Sequence, residues 1–125
     1  MILVMNFSHP LTEEAVNAIR FNYGNGDARI VQVPVQIDRS QSVVQQTYHI
    51  AQGSLRLAGV NTFGQVDCII LPGLSDVAAI LGSLFAGSNI IVMAPVLNSV
   101  PPKFMPTELI RPFDRGLGRP AVLED

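Results

Sequence analysis

Residues 2 to 7 read Ile-Leu-Val-Met-Asn-Phe, an apolar run broken only by Asn6 and stopped by Ser8-His9-Pro10. Such a run suits a strand buried on both faces, which needs a packing layer above and below its sheet. A helix start follows at once. Thr12 is a good N-cap, Glu13 and Glu14 suit the positive end of a helix dipole, and Leu11 with Val16 has hydrophobic-staple spacing. The helix is predicted to run to about Phe21.

The same alternation recurs along the chain. From Arg29 to Asp38, Val31, Val33, Val35 and Ile37 fall on one side and Gln32, Pro34 and Gln36 on the other. Pro34 cannot donate to a ladder, so this second strand should lie at an edge. Val44, Tyr48, Ala51, Leu55 and Ala58 repeat at helical steps after Ser42, and Gly59 is a natural stop. Asp67 to Leu71 predicts a third strand. Pro72-Gly73-Leu74 then turns, Ser75 caps, and a helix begins at Asp76 that is apolar almost all round. Asn89 to Ala94 predicts a fourth strand. Six of the nine prolines and four of the eight basic residues fall between Pro95 and Asp125. That stretch suits a short strand around Phe104 to Ile110 and then an irregular tail over 112–125.

Alternating strands and helices with right-handed crossovers give an α/β, three-layer, small Rossmann-like fold with a mainly parallel sheet of order 2-1-3-4. At 125 residues one domain is expected, spanning 1–111, with 112–125 as an irregular or flexible C-terminal tail.

Composition narrows the partners. With 14% charged residues against 48% hydrophobic ones, the chain has little to solvate a monomer's whole surface, so self-association as a homodimer or larger is expected. The outer side of the third helix is the natural place. A net charge of −2 lacks the basic footprint that holds long DNA or RNA. No segment approaches the roughly 20 apolar residues of a membrane span and MILVMNF is too short for a signal core, so a cytoplasmic location is expected. The lone Cys68 lies in the apolar run Val66 to Leu71 and reads as a buried strand thiol.

In a sheet of order 2-1-3-4 the winding reverses between strands 1 and 3, and a crevice opens there. Asn6-Phe7-Ser8-His9-Pro10 and Pro72-Gly73-Leu74-Ser75 flank it, bringing amide, hydroxyl, imidazole and a helix N-terminus to one place. Backbone N–H groups around Gly73, Leu74 and Ser75 could hold a phosphate without a lysine. Each residue also has a plainer role: Ser8 as a turn cap, Gly73 as a supplier of φ, Ser75 as a helix cap, His9 as a turn residue. His49 reads as a surface residue.

Other chemistries find no support. Gly24-Asn25-Gly26 precedes a strand and is a turn; no GxxxxGK[ST] exists. Gly73-Leu74-Ser75-Asp76-Val77 lacks the second glycine of a nucleophile elbow. No histidines and carboxylates show metal-ligand spacing, and no cofactor is implied.

Asn6-Phe7-Ser8-His9-Pro10-Leu11-Thr12, Val33-Pro34-Val35-Gln36-Ile37-Asp38, Leu71-Pro72-Gly73-Leu74-Ser75 and Val100-Pro101-Pro102-Lys103-Phe104 together resemble a small family of type III CRISPR accessory proteins. The likeness covers residues 1 to about 111. That family is similar to CRISPR-associated Rossmann-fold (CARF) domains and is linked to cyclic oligoadenylates, second messengers of antiviral defence. The resemblance implies a CARF-like fold and cyclic tetra-adenylate as the ligand, with Asn6, Ser8 and His9 in a first ligand loop, Gly73, Leu74 and Ser75 in a second, and Lys103 at the rim; Phe7 and Pro72, in the same two loops, are further candidate ligand contacts. Where a C-terminal helix is expected after the last strand, Pro112, Gly116, Gly118 and Pro120 interrupt the sequence.

Two activities follow from this resemblance. One is a binding protein that sequesters the ring and damps the signal. The other is a metal-independent ring nuclease that aligns a ribose 2′-hydroxyl with its phosphodiester and leaves a cyclic 2′,3′-phosphate, with His9 or Lys103 as helper. A third reading, without the family, is an unrelated small nucleotide-binding module in the same crevice.

Overall fold

In a computed structural model, which describes residues 1–117, the chain folds around one five-stranded sheet of order β2-β1-β3-β4-β5. The strands are β1 (Ile2–Asn6), β2 (Ala28–Gln32), β3 (Cys68–Ile70), β4 (Asn89–Pro95) and β5 (Phe104–Ile110). The first four pair in parallel and β5 runs antiparallel to β4, so the expected four-strand order gains one strand at its open edge. The helices are α1 (Glu13–Tyr23), α2 (Val43–Ala58), α3 (Ser75–Leu84) and α4 (Pro112–Leu117), with a single helical turn at Phe63–Gln65.

Two apolar cores lie on opposite faces of the sheet. Leu3, Met5, Phe7 and Ile69 point to the face covered by α2 and α3, where they meet Ala51, Leu55, Val77, Leu81 and Phe85. Val4, Cys68, Ile70 and Ile91 point to the face covered by α1 and meet Ile19. The alternation along β1 therefore serves both layers, which is why its sequence reads as a continuous apolar run. Phe85 packs against Phe7 at a ring-centre distance of 5.6 Å and against Phe63 at 4.9 Å. Cys68 is buried, and burial first, with neighbouring Asp67 second, pushes its thiol up to about 11.

The Thr12 side chain accepts from the Ala15 N–H, and Ser42 does the same for Gln45. Gly59 ends α2 in the left-handed conformation, φ 73°, where glycine has no steric penalty.

Several expected boundaries shift. The second strand ends at Gln32 instead of Asp38: Val33 N–H makes one last bond to the Asn6 carbonyl, 2.9 Å, and β1 then turns away, leaving the next residues without a neighbour. The side-chain alternation persists beyond the ladder, with Val33 buried and Pro34 and Gln36 exposed. Along α2 the buried stripe is Thr47, Ala51, Ser54, Leu55 and Ala58, whereas Val44 and Tyr48 face solvent. Thr47 and Ser54 tolerate this because their hydroxyls donate to the Val43 and Ala51 carbonyls one turn back.

Pro112–Leu117 is helical where an irregular tail was expected. Pro112 opens the helix, a position where its missing N–H costs nothing. The Arg115 guanidinium donates to the carbonyls of Gly82, Ala86 and Ser88 and so caps the C-terminal end of α3. This end of α3 is opposite to the one beside the candidate crevice, so α4 does not fold over it. The rest of the expected tail lies outside the described residues. Among the described residues no helix is long and apolar enough to cross a membrane.

Candidate functional site

The helix that follows β1 and the helix that follows β3 cover opposite faces, so the loops after these adjacent strands diverge and leave a crevice at their C-terminal ends. The 7–12 loop there is shaped from beneath. Asn6 is fully buried at the end of β1, and its side-chain amide is entirely used inside the protein. Its Nδ2 donates to the His9 carbonyl at 2.9 Å and to Gln32 Oε1 at 2.8 Å, while its Oδ1 accepts from the Ser8 N–H at 2.9 Å. Gln32, opposite Asn6 in the ladder, donates through Nε2 to the Ser8 carbonyl at 2.7 Å. Two strand-end amides thus hold Ser8 and His9 in place. Asn6, expected to touch ligand, is instead a positioning residue for the residues that can.

The loop divides two clefts. The first, about 520 Å³, is lined by Phe7, Ser8, His9 and Pro10 on one side, Pro72, Gly73 and Leu74 on another, and Val33, Pro34 and Val35 on the third. Phe7 forms its floor and is otherwise a core residue. Gly73 needs neither a positive φ nor a tight fit: a Cβ added there meets nothing within 4 Å. Its bare backbone is therefore open to the cleft. Among the described residues the N–H groups of Gly73 and Leu74 have no protein acceptor.

The second cleft, about 240 Å³, lies on the other side of the loop. Ser8, His9, Pro10, Leu11 and Thr12 face Ile70, Met93, Pro102, Lys103 and Phe104 across it. Lys103 is carried there by the connection between β4 and β5, and its Nζ stands 3.5 Å from Glu14 Oε1 on α1. The His9 imidazole is exposed, and the Ser8–Pro10 segment borders both clefts.

The start of α3 differs from the expectation. The helix begins one residue early, so Ser75 is its first residue and Leu74 stands at the cap position without a side-chain bond. Asp76 instead folds its carboxylate back onto the Val77 N–H at 2.9 Å. Arg39, from the segment after β2, binds that carboxylate at 2.5 Å, and this hydrogen bond holds Asp76 below the usual carboxylate range. The protein's own anion thus occupies part of the helix end, and among the described residues the N–H groups of Gly73, Leu74 and Ser75 are left without a protein acceptor.

Of the expected residues, Phe7, Ser8, His9, Pro72, Gly73 and Leu74 meet at the first cleft, and Ser8, His9 and Lys103 at the second. Ser75 flanks the first cleft without lining it. Sequence reasoning missed Gln32, the walls Val33 to Val35, and Met93 and Phe104. Gln32 carried no signal of its own, being one of the alternating polar residues of a strand expected to reach Asp38; its place opposite Asn6 comes only from the pairing of β1 with β2. Among the described residues no group of three or more His, Cys, Asp or Glu is placed to hold a metal ion.

No family model, curated protein or solved structure matches this chain.

Proposed function

We propose that this protein binds and sequesters cyclic tetra-adenylate at the crevice between β1 and β3, and so lowers the free concentration of that second messenger. On this reading the fold is a CARF-like member of the Rossmann-like class. The observation that carries the proposal is that one loop, Ser8 to Pro10, borders two clefts at the winding reversal, with unpaired backbone N–H groups at Gly73 and Leu74 on one side and Lys103 on the other. Backbone donors and one cation suit a phosphodiester, and a pair of clefts joined over a loop suits a nucleotide whose phosphate and base part ways.

Cyclic tetra-adenylate has internal rotational symmetry, so two copies of the chain related by a two-fold axis can each hold half of one ring. The low charged fraction agrees with self-association of this kind. Sequestration is favoured over cleavage because, among the described residues, His9 and Lys103 are the only ionisable groups that line the clefts, few for proton transfer to and from a reacting ring.

The test is to mix protein in molar excess with cyclic tetra-adenylate, without added metal, and to follow both complex and linear products. Tight binding with the ring intact supports sequestration. Linear products ending in a cyclic 2′,3′-phosphate within minutes would establish the ring nuclease instead. Neither outcome would leave an unrelated nucleotide-binding module, to be sought by ligand-dependent rises in melting temperature.

A further inference from the structure

The two clefts differ in chemistry. The first offers backbone donors at Gly73 and Leu74 beside valine and proline. The second is walled by Leu11, Ile70, Met93, Pro102 and Phe104, with Thr12 and Lys103 as polar groups at its side. Phe104 opens β5 opposite Pro95 and is 45% exposed. It belongs to neither apolar core. A phenyl ring that lines a cleft while nearly half in water is available to whatever enters the cleft. Among the described residues the Lys103 ammonium is held by one exposed ion pair, which contributes little.

We propose that the second cleft is a subsite for the adenine base, with Phe104 as its stacking face and Lys103 meeting the adjoining phosphate. The proposal rests on the adenylate reading above and deepens it. A planar heteroaromatic base gains stacking energy from an aromatic face and from apolar walls, and every base offers such a face. The backbone then passes over Ser8 to Pro10, where the phosphates reach the donors of Gly73 and Leu74.

The protein's four methionines make a direct probe, since Met93 borders the second cleft, Met5 is in the core, and Met1 and Met105 line neither cleft. Protein labelled at the methionine methyl groups is titrated with adenosine monophosphate and, separately, with ribose 5-phosphate, which has no base. The proposal expects the Met93 signal to move with the nucleotide and stay still with the sugar phosphate. In Phe104→Ala that movement is lost and affinity for cyclic tetra-adenylate falls roughly tenfold to a hundredfold, the effect of one lost stacking contact. Phe104→Trp keeps both, which separates stacking from a folding defect.

A Met93 signal unmoved by the nucleotide, or a Phe104→Ala protein that binds the ring as well as the native one, overturns the subsite; in the second case the sequestration reading stands. Movement of Met93 that depends on Phe104, in a protein that does not bind the ring, upholds the base subsite and overturns the ring as ligand.

Discussion

Replacing Asn6 by alanine tests the internal frame of the site. The side chain is fully buried and makes three hydrogen bonds, to Ser8, His9 and Gln32. At about 1 kcal/mol net for each bond, and with the Ser8 N–H left unsatisfied, the loss should be about 3 kcal/mol. That is a large part of a domain stability of about 5–15 kcal/mol, yet it leaves the chain folded. For a domain of this size it corresponds to a fall in melting temperature of roughly 10 °C. Differential scanning calorimetry of Asn6→Ala, Gln32→Ala and the double variant measures it. Gln32→Ala should cost about 1 kcal/mol, because that side chain is exposed, and the double variant should cost less than the two together because they share one bond. Ligand affinity should fall in both single variants although neither side chain lines a cleft. An Asn6→Ala protein within about 1 kcal/mol of the native one, or strict additivity with Gln32→Ala, would refute the clamp.

Gly73→Ala should fold as the native protein does, within about 0.5 kcal/mol, because the added methyl meets nothing. It should nonetheless weaken ring binding at least severalfold by crowding the bare backbone, as isothermal titration would show. Arg115→Ala removes three carbonyl partners from the end of α3 and should lower stability by about 2 kcal/mol in urea unfolding while leaving ring affinity unchanged. Cys68, buried and with its thiol pushed up to about 11, should resist a disulfide reagent at pH 8 and react fully only in denaturant.

The layers and the strand order were legible because buried parallel strands leave a strong mark: the run at residues 2–7 is apolar on both faces since both faces are covered. The cap at Thr12 and the stop at Gly59 were legible too, being local chemistry that needs no tertiary partner. What escaped depended on partners distant in sequence. The second strand stops at Gln32 because β1 has turned away, which the regular alternation through Ile37 could not reveal. Asn6 looked like a ligand contact because its acceptors and donors at Gln32 and in the following loop become visible only when β1 and β2 are paired. Arg115 read as part of an irregular tail, since its carbonyl partners lie nearly thirty residues earlier. The Phe104 face of the second cleft depends on the antiparallel return of β5, which sets the Pro-Pro-Lys-Phe segment across from Ser8 and His9.

The most direct test of the central claim is a calorimetric titration of cyclic tetra-adenylate into the native protein, with the ring recovered and analysed afterwards. The account predicts tight, saturable binding at one ring for every two chains and recovery of the ring intact. Absence of binding would contradict the proposed ligand, and recovery of linear product would contradict sequestration.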